Sequence, residues 1–336
     1  MYSEAAEAGA VVRKQFNRNK ATVTELGQRL RTLAPRAVAT LARGSSDNAA
    51  TYGRYLIDTH CGVLTSSIPP SIVSIYETTP AMEGMVLIAL SQSGRSPDIV
   101  ATARAAKARG ALLVALVNDE TSPLAAAADV LVPLCAGTEK SVAATKSFIA
   151  ALAALLHVVA AWTNSDRLNA ALDKLPGLLD RASTLDWSSA LPLLRDAHSA
   201  YVIARGYSYG IAQEAALKMK ETSGLHAEAF SAAEVRHGPM TLMQSGFPAL
   251  VFGQADRSLD SVSSIAAELG SRDVPLMTAG LPTGSPGITL PTIDADPIIQ
   301  PVLLIASFYR FANLLSLSRN HDPDRPPYLN KITETL

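Results

Sequence analysis

AVATLARGSSDNA occupies residues 37–49. It opens as an apolar run, passes through Ala-Arg-Gly-x-Ser, and leads into NAATYGRYLIDTH, which has helical spacing. The same order returns at 200–210 in AYVIARGYSYG, with Gly206 standing 162 residues after Gly44. An apolar strand that ends in a glycine turn and feeds a helix is the start of a βα unit. Two such starts, each followed by similar elements, predict a duplicated α/β domain.

The rest of the chain is read outward from these copies. Strands are expected at SIVSIY (71–76), MVLIAL (85–90), LLVALV (112–117) and DVLVPL (129–134). Helical patterns cover 97–109, 122–128 and 141–163. After the second copy, PALVFG (248–253), VPLMTA (274–279) and GITLP (287–291) read as strands, and 257–270 and 297–318 as helices. Continuous apolar strands separated by helices predict parallel sheets covered on both faces. The expected division is a helical segment at 1–30, a first domain at 31–163, a helical bridge at 164–198, a second domain at 199–320 and a tail at 321–336.

Composition narrows the function classes. Apolar residues make up 48% of the chain and charged residues 18%, which suits a sizeable core rather than disorder. A net charge of −1 gives no basic footprint for nucleic acid. The longest apolar stretch, FIAALAALLHVVAAW (148–162), is interrupted by His157 and falls short of the ~20 residues a bilayer needs. It reads as a buried core helix, and no membrane association is expected. The N-terminus has early acids and no apolar core, so no signal peptide is expected there. Cys61 and Cys135 have no metal-ligand spacing and make no disulfide framework, which fits a reducing cytoplasm and no metal.

Ligands of open α/β sheets sit beyond the carboxyl ends of the strands. Three expected loops there carry hydroxyls: Ser45 and Ser46; Ser91, Ser93 and Ser96; and Ser208. The middle one lies in LSQSGRSPDIV (90–100). Gly94 lets the backbone approach a ligand, Ser96 suits an N-cap and Pro97 suits the first helical position. Free N–H groups and the helix dipole favour an anion at that point. Position 91 is Ser, so the Gly-x-Ser-x-Gly elbow of serine hydrolases is absent, as is the Walker Gly-x4-Gly-Lys-Ser/Thr pattern. Hydroxyls without a lysine suit a phosphate monoester. A plain capped helix start explains the same residues as readily.

At this point the residues resemble a known family. SQSGRSPD resembles the phosphate loop of sugar isomerase (SIS) domains. RGSSDNA (43–49), AGTEKSVAATKSF (136–148), EAALKMKETSGLHAEAFSAAEVRHGP (214–239) and DPDRPPYLNKITETL (322–336) are similar to the double-SIS isomerase half of glutamine–fructose-6-phosphate aminotransferase. The resemblance implies two SIS domains, each a parallel sheet flanked by helices in a flavodoxin-like three-layer sandwich. It implies that Ser91, Gln92, Ser93 and Ser96 hold a phosphate, with Ser46 nearby. It places the C1–C2 proton-transfer base on Glu221, the ring-opening histidine on His237 (supplied in that family by the neighbouring subunit) and the ketose-binding lysine on Lys331. Lys218 and Glu139 fall on further active-site positions, and the Val142 backbone on a substrate contact.

The chemistry agrees in type. Ring opening asks for an acid/base group such as His, a proton shift beside a carbonyl asks for a carboxylate, and charge on O1 or N asks for a lysine. Spacing alone is weaker: Glu214, Lys218 and Glu221 share a helix face, which a surface ion-pair stripe also explains. Alone, His237 in RHGP reads as readily as a helix-end histidine and Lys331 as a solvated tail lysine. His226 is read as structural.

There are departures. Arg95 stands where the family has an acid and is expected to add positive charge near the phosphate. Ser96 replaces Thr, Ala144 replaces Ser and Pro327 replaces Arg. The second-domain loop FGQADRS (252–258) lacks Ser-Gln-Ser-Gly, so one phosphate site per chain is expected. With no glutaminase sequence ahead of Met1-Tyr2, the expected activity is glucosamine-6-phosphate deamination to fructose 6-phosphate and ammonia, without cofactor, in a homodimer. Fructosamine-6-phosphate deglycation, galactosamine-6-phosphate deamination or isomerisation, a non-catalytic sugar-phosphate sensor and a subunit with a separate glutaminase partner are the alternatives.

Overall fold

The structure, a computed structural model, describes residues 1–329 and Lys331. The chain begins with helices α1 (Tyr2–Ala6) and α2 (Ala8–Leu33). Then come β1 (Ala37–Leu41), α3 (Ser45–His60), β2 (Thr65–Ser67), α4 (Ser71–Ser74), β3 (Met85–Ser91), α5 (Pro97–Ala108), β4 (Leu112–Val117), α6 (Pro123–Ala127), β5 (Val130–Pro133) and α7 (Lys146–Thr163). Helices α8 (Asp166–Ala182) and α9 (Leu191–Leu194) lead to β6 (Ser199–Ala204), α10 (Tyr209–Ser223), β7 (His226–Ser231), β8 (Ala249–Phe252), α11 (Leu259–Gly270), β9 (Leu276–Ala279), β10 (Ile288–Leu290) and α12 (Gln300–Ser318).

Two compact units divide these elements. The N-terminal sheet unit comprises Ala10–Glu139, Lys146–Asp173 and, from the tail, Lys331; the C-terminal sheet unit comprises Met1–Gly9, Lys140–Thr145 and Lys174–Leu329. Each contains one five-stranded parallel sheet, ordered β2-β1-β3-β4-β5 in the first and β7-β6-β8-β9-β10 in the second. Matching strand for strand, these are the same topology, the flavodoxin-like 2-1-3-4-5 order.

In the N-terminal unit every residue of β4 is buried, as a strand covered on both faces requires. Ala39, Leu41, Leu87, Ala89, Leu113, Ala115 and Val117 pack on Ile99 and Ala103 of α5 and Leu124 of α6. Their alternate neighbours point to the opposite face. Helix α7 is buried almost throughout, so the long apolar stretch is a core helix of this fold. In the C-terminal unit Tyr201, Ile203, Ala249, Val251 and Leu276 pack on Val262, Ile265 and Leu269 of α11. Helix α10 ends at Gly224, whose φ of 58° gives the left-handed C-cap glycine tolerates best.

Two local expectations are corrected, and one strand was not anticipated. SIVSIY is not a strand: its first four residues form α4, entered through Pro69-Pro70, while the edge strand is the short polar segment Thr65–Ser67. Strand β7, HAEAFS, has mixed burial and lacked the apolar run that marked the others. The helix expected from 141 starts at Lys146, because 141–145 is loop. There the Glu4 carboxylate accepts the N–H groups of Lys140 and Ser141, and the Val142 N–H donates to the Asp324 carbonyl at 3.2 Å.

Candidate active site

The loop from β3 to α5 is a tight turn built on its serines. Ser91 ends β3, and its Oγ accepts the Gly94 N–H at 2.9 Å. The Ser93 Oγ accepts the Arg95 N–H at 3.3 Å. Each hydroxyl, having accepted, still carries a proton to donate. Ser96 sits at the N-cap of α5 with Pro97 after it, yet its side chain makes no capping bond. Ser91, Gln92, Ser93 and Ser96 are half-buried. Ser46, also half-buried, lies in the first turn of α3 in the same unit. Donor hydroxyls at an uncapped helix start are an arrangement suited to a phosphate oxygen.

Gly94 has a packing role in addition to any ligand approach. Its φ is +63°, and a Cβ there would lie 2.2 Å from Ser122 Oγ. Ser122 is itself tied down as the N-cap of α6, accepting the Ala125 N–H at 3.3 Å. The glycine therefore serves close packing against the protein's own α6 start. Asn118 braces the neighbouring loops: it donates its N–H to Gln92 O at 3.3 Å, its amide to Gly137 O at 2.8 Å, and accepts the Ala136 N–H at 2.8 Å.

Two arginines flank the turn. Arg95 does not project free charge toward a ligand; it binds Asp119 through Nε at 3.1 Å and Nη2 at 2.7 Å and also reaches Thr121. Hydrogen bonds from Thr121 and then Arg95 lower the Asp119 carboxyl below its usual range. Arg43, from the Ala-Arg-Gly turn after β1, grips the buried carboxylate of Asp98 in the first turn of α5, with Nε–Oδ2 at 2.8 Å. That pair ties the Ser46 loop to the serine turn.

Glu139 and Lys331 meet in the same unit. The Lys331 Nζ lies 3.2 Å from Glu139 Oε2, whose carboxylate is buried and also takes the Ser147 hydroxyl at 2.6 Å and its N–H at 3.3 Å. Lys331 is thus paired rather than a solvated tail lysine. The rest of the tail motif, Asn330 and 332–336, lies outside the described residues.

The C-terminal unit carries the acid/base candidates. Glu214, Lys218 and Glu221 share one face of α10, as spacing predicted, but the face is inside. Lys218 is fully buried; its Nζ lies 3.2 Å from Glu214 Oε1 and 2.5 Å from Glu221 Oε2. Tyr309 of α12 donates to Glu214 at 3.1 Å. Burial alone would lower the Lys218 pKa, but Glu214 and then Glu221 outweigh it and hold the ammonium above its ordinary value. Glu221 is the half-buried end of this line, so the surface-stripe reading is excluded. His237 closes a 3-10 turn and is exposed. The Val142 N–H is taken by the Asp324 carbonyl. Ser208, expected at an open loop, is fully buried.

A model of the SIS domain matches residues 34–161 and 193–280, one stretch in each half of the duplication. The chain belongs to the SIS-domain family. Among its relatives, glutamine–fructose-6-phosphate aminotransferase (isomerizing) from Aeropyrum pernix is 32% identical over 308 residues, covering 86% of this chain and 49% of that protein. The SIS chain thus spans about half the length of the aminotransferases it matches. A crystal structure from Silicibacter pomeroyi DSS-3, of a protein provisionally named a phosphosugar isomerase, is 37% identical with a TM-score of 0.91, covering 96% of this chain and 99% of that one. Glucosamine-6-phosphate deaminase from Thermotoga maritima shares the fold, with a TM-score of 0.74 at 20% identity over 97% and 100% of the two chains.

Within the N-terminal unit the SIS fold brings together the serine turn, and separately Glu139 with Lys331. Within the C-terminal unit it joins Lys218 to Glu221 but leaves His237 exposed. Sequence reading did not find Arg43–Asp98, Asn118, Ser147 or the Glu4 clamp. Arg43 and Asp98 both lay inside quoted motifs. Ser147 also lay inside a quoted motif, eight residues after its partner Glu139, while Glu4 acts through contacts distant in sequence.

Proposed function

We propose that the protein interconverts aldose and ketose 6-phosphates bearing an amino group, most specifically glucosamine 6-phosphate to fructose 6-phosphate and ammonia. The observation that carries the phosphosugar reading is the N-cap serine of α5, Ser96, which caps nothing while standing beside Ser91 and Ser93. Membership of the SIS family and the aminotransferase relatives support it. The N-terminal unit's serine turn takes the phosphate, with Gln92 and Ser46 as further donors. Glu221 of α10 is the proposed base.

In this reading His237, from a neighbouring chain of a homodimer, opens the hemiacetal by proton transfer. Glu221 removes the C2 proton and returns one to C1, so the C2–N bond becomes an imine. Water adds at C2 and ammonia leaves, giving the ketose. Lys331, steered by Glu139, stabilises the oxygen that gains charge during the shift. Lys218 holds Glu221 in position.

The test is a panel of glucosamine, galactosamine and fructosamine 6-phosphates, followed for ammonia or amine release. Turnover highest on glucosamine 6-phosphate supports the specific reading. Turnover on another member reassigns the substrate within the class, and saturable binding of all without turnover replaces the enzyme with a sensor.

A further inference from the structure

The duplication keeps register to the residue. Leu41 lies opposite Ala89 in the N-terminal sheet, and Ile203 opposite Val251 in the C-terminal sheet. Each residue of the second pair stands 162 positions after its counterpart, the same spacing that separates Gly44 (φ 54°) from Gly206 (φ 65°). Ser46, Gln92, Gly94, Arg95, Ser96 and Asp98 therefore correspond, without insertion, to Ser208, Gln254, Asp256, Arg257, Ser258 and Asp260. The second loop keeps the glutamine, the arginine and the N-cap serine. Ser91 and Ser93 become Gly253 and Ala255, and Gly94 becomes Asp256.

We infer that this second loop is a phosphate cradle closed by its own carboxylate, Asp256. The Asp256 Oδ1 accepts the Ser258 N–H at 2.8 Å and the Ser258 hydroxyl at 2.6 Å, at the start of α11. Its Oδ2 accepts the Gln254 amide at 3.0 Å. A backbone N–H at a helix start, a hydroxyl and an amide are the donors a phosphate oxygen would take. The loop after β6 closes on them: a Cβ on Gly206 would lie 3.1 Å from Gln254 Nε2 and 3.6 Å from Ser258 Oγ. Two counterparts of the first cradle's polar side chains are buried with an atom left over. Ser208 is 0% exposed with its Oγ unpartnered, and Gln254 is 1% exposed with its Oε1 unpartnered. Such orphaned atoms are costly to keep, and they mark a polar site that its present filling satisfies only in part.

The inference rests on reading the first loop as a phosphate cradle, and one experiment separates the two. Equilibrium dialysis with inorganic phosphate at low salt counts sites on the wild type and on Asp256→Gly, which restores the glycine of the first loop. The expected counts are one per chain and two per chain. The difference between the proteins tests the closed cradle, and the wild-type count tests the open one. A folded Asp256→Gly with the wild-type count overturns the inference. Asp256→Ala, which removes the carboxylate and leaves the Ser258 N–H free, is the second variant should glycine unfold the loop, and the same gain of one site is expected.

Discussion

The Lys218 ammonium and the Glu221 carboxylate lie 2.5 Å apart, the first fully buried and the second open at one edge. With Glu214 on its other side, Lys218 contacts both carboxylates of α10. A lysine at this depth is tolerable because both partners are negative. It fixes the one carboxylate that reaches the surface, which is what a positioned base needs.

Removing that ammonium takes the cation from beside the buried Glu214 carboxylate. Lys218→Met should lose about 3–5 kcal/mol of stability, measured by urea unfolding. A loss of under about 1 kcal/mol would show the line of charges to be dispensable.

Ser96 separates a helix cap from a ligand group. A capping serine replaced by alanine costs about 1 kcal/mol of stability. Because Ser96 makes no cap bond, Ser96→Ala should leave the urea midpoint nearly unchanged. KM for the sugar phosphate should rise by the loss of one charge-assisted hydrogen bond, about 1.5–3 kcal/mol or roughly 10- to 150-fold. The reverse pattern, lower stability with KM unchanged, would return the loop to a plain helix start.

Legibility followed periodicity and chemistry of type. The apolar runs of β1, β3 and β4 announced their strands, since both faces are buried. The edges did not: Thr65–Ser67 has no apolar face to show, and SIVSIY carries β-branched residues into a four-residue helix behind two prolines. The serine turn was legible as a place but not as a geometry. Gly94 answers to Ser122, twenty-eight residues on, and Arg95 to Asp119. The depth of Lys218 could not be read from spacing, because a buried and an exposed stripe have the same period.

His157 gives a pH dependence. Burial pushes its imidazole from 6.5 down to about 4, so it is neutral in the fold while the unfolded chain takes up a proton near 6.5. Between those values the unfolded state binds more protons, and stability falls as pH drops through the window. The loss should be on the order of 3 kcal/mol, complete below pH about 4. Urea unfolding of wild type and His157→Gln between pH 7 and 4 checks this; parallel curves would contradict it.

The exposed position of His237 bears on the proposed shared site. Inactive His237→Ala and Glu221→Gln chains, mixed and allowed to exchange, should regain activity toward about one quarter of wild type, since half the dimers then hold one intact site. No recovery after verified exchange would place the ring-opening group in the same chain or elsewhere.

The most direct test of the central claim follows glucosamine 6-phosphate by proton NMR with wild-type and Glu221→Gln protein side by side. The expected result is fructose 6-phosphate and ammonia in equal amounts from the wild type, and a rate lower by about 100-fold or more from the variant. Equal rates from the two proteins, or no conversion by the wild type, would contradict it.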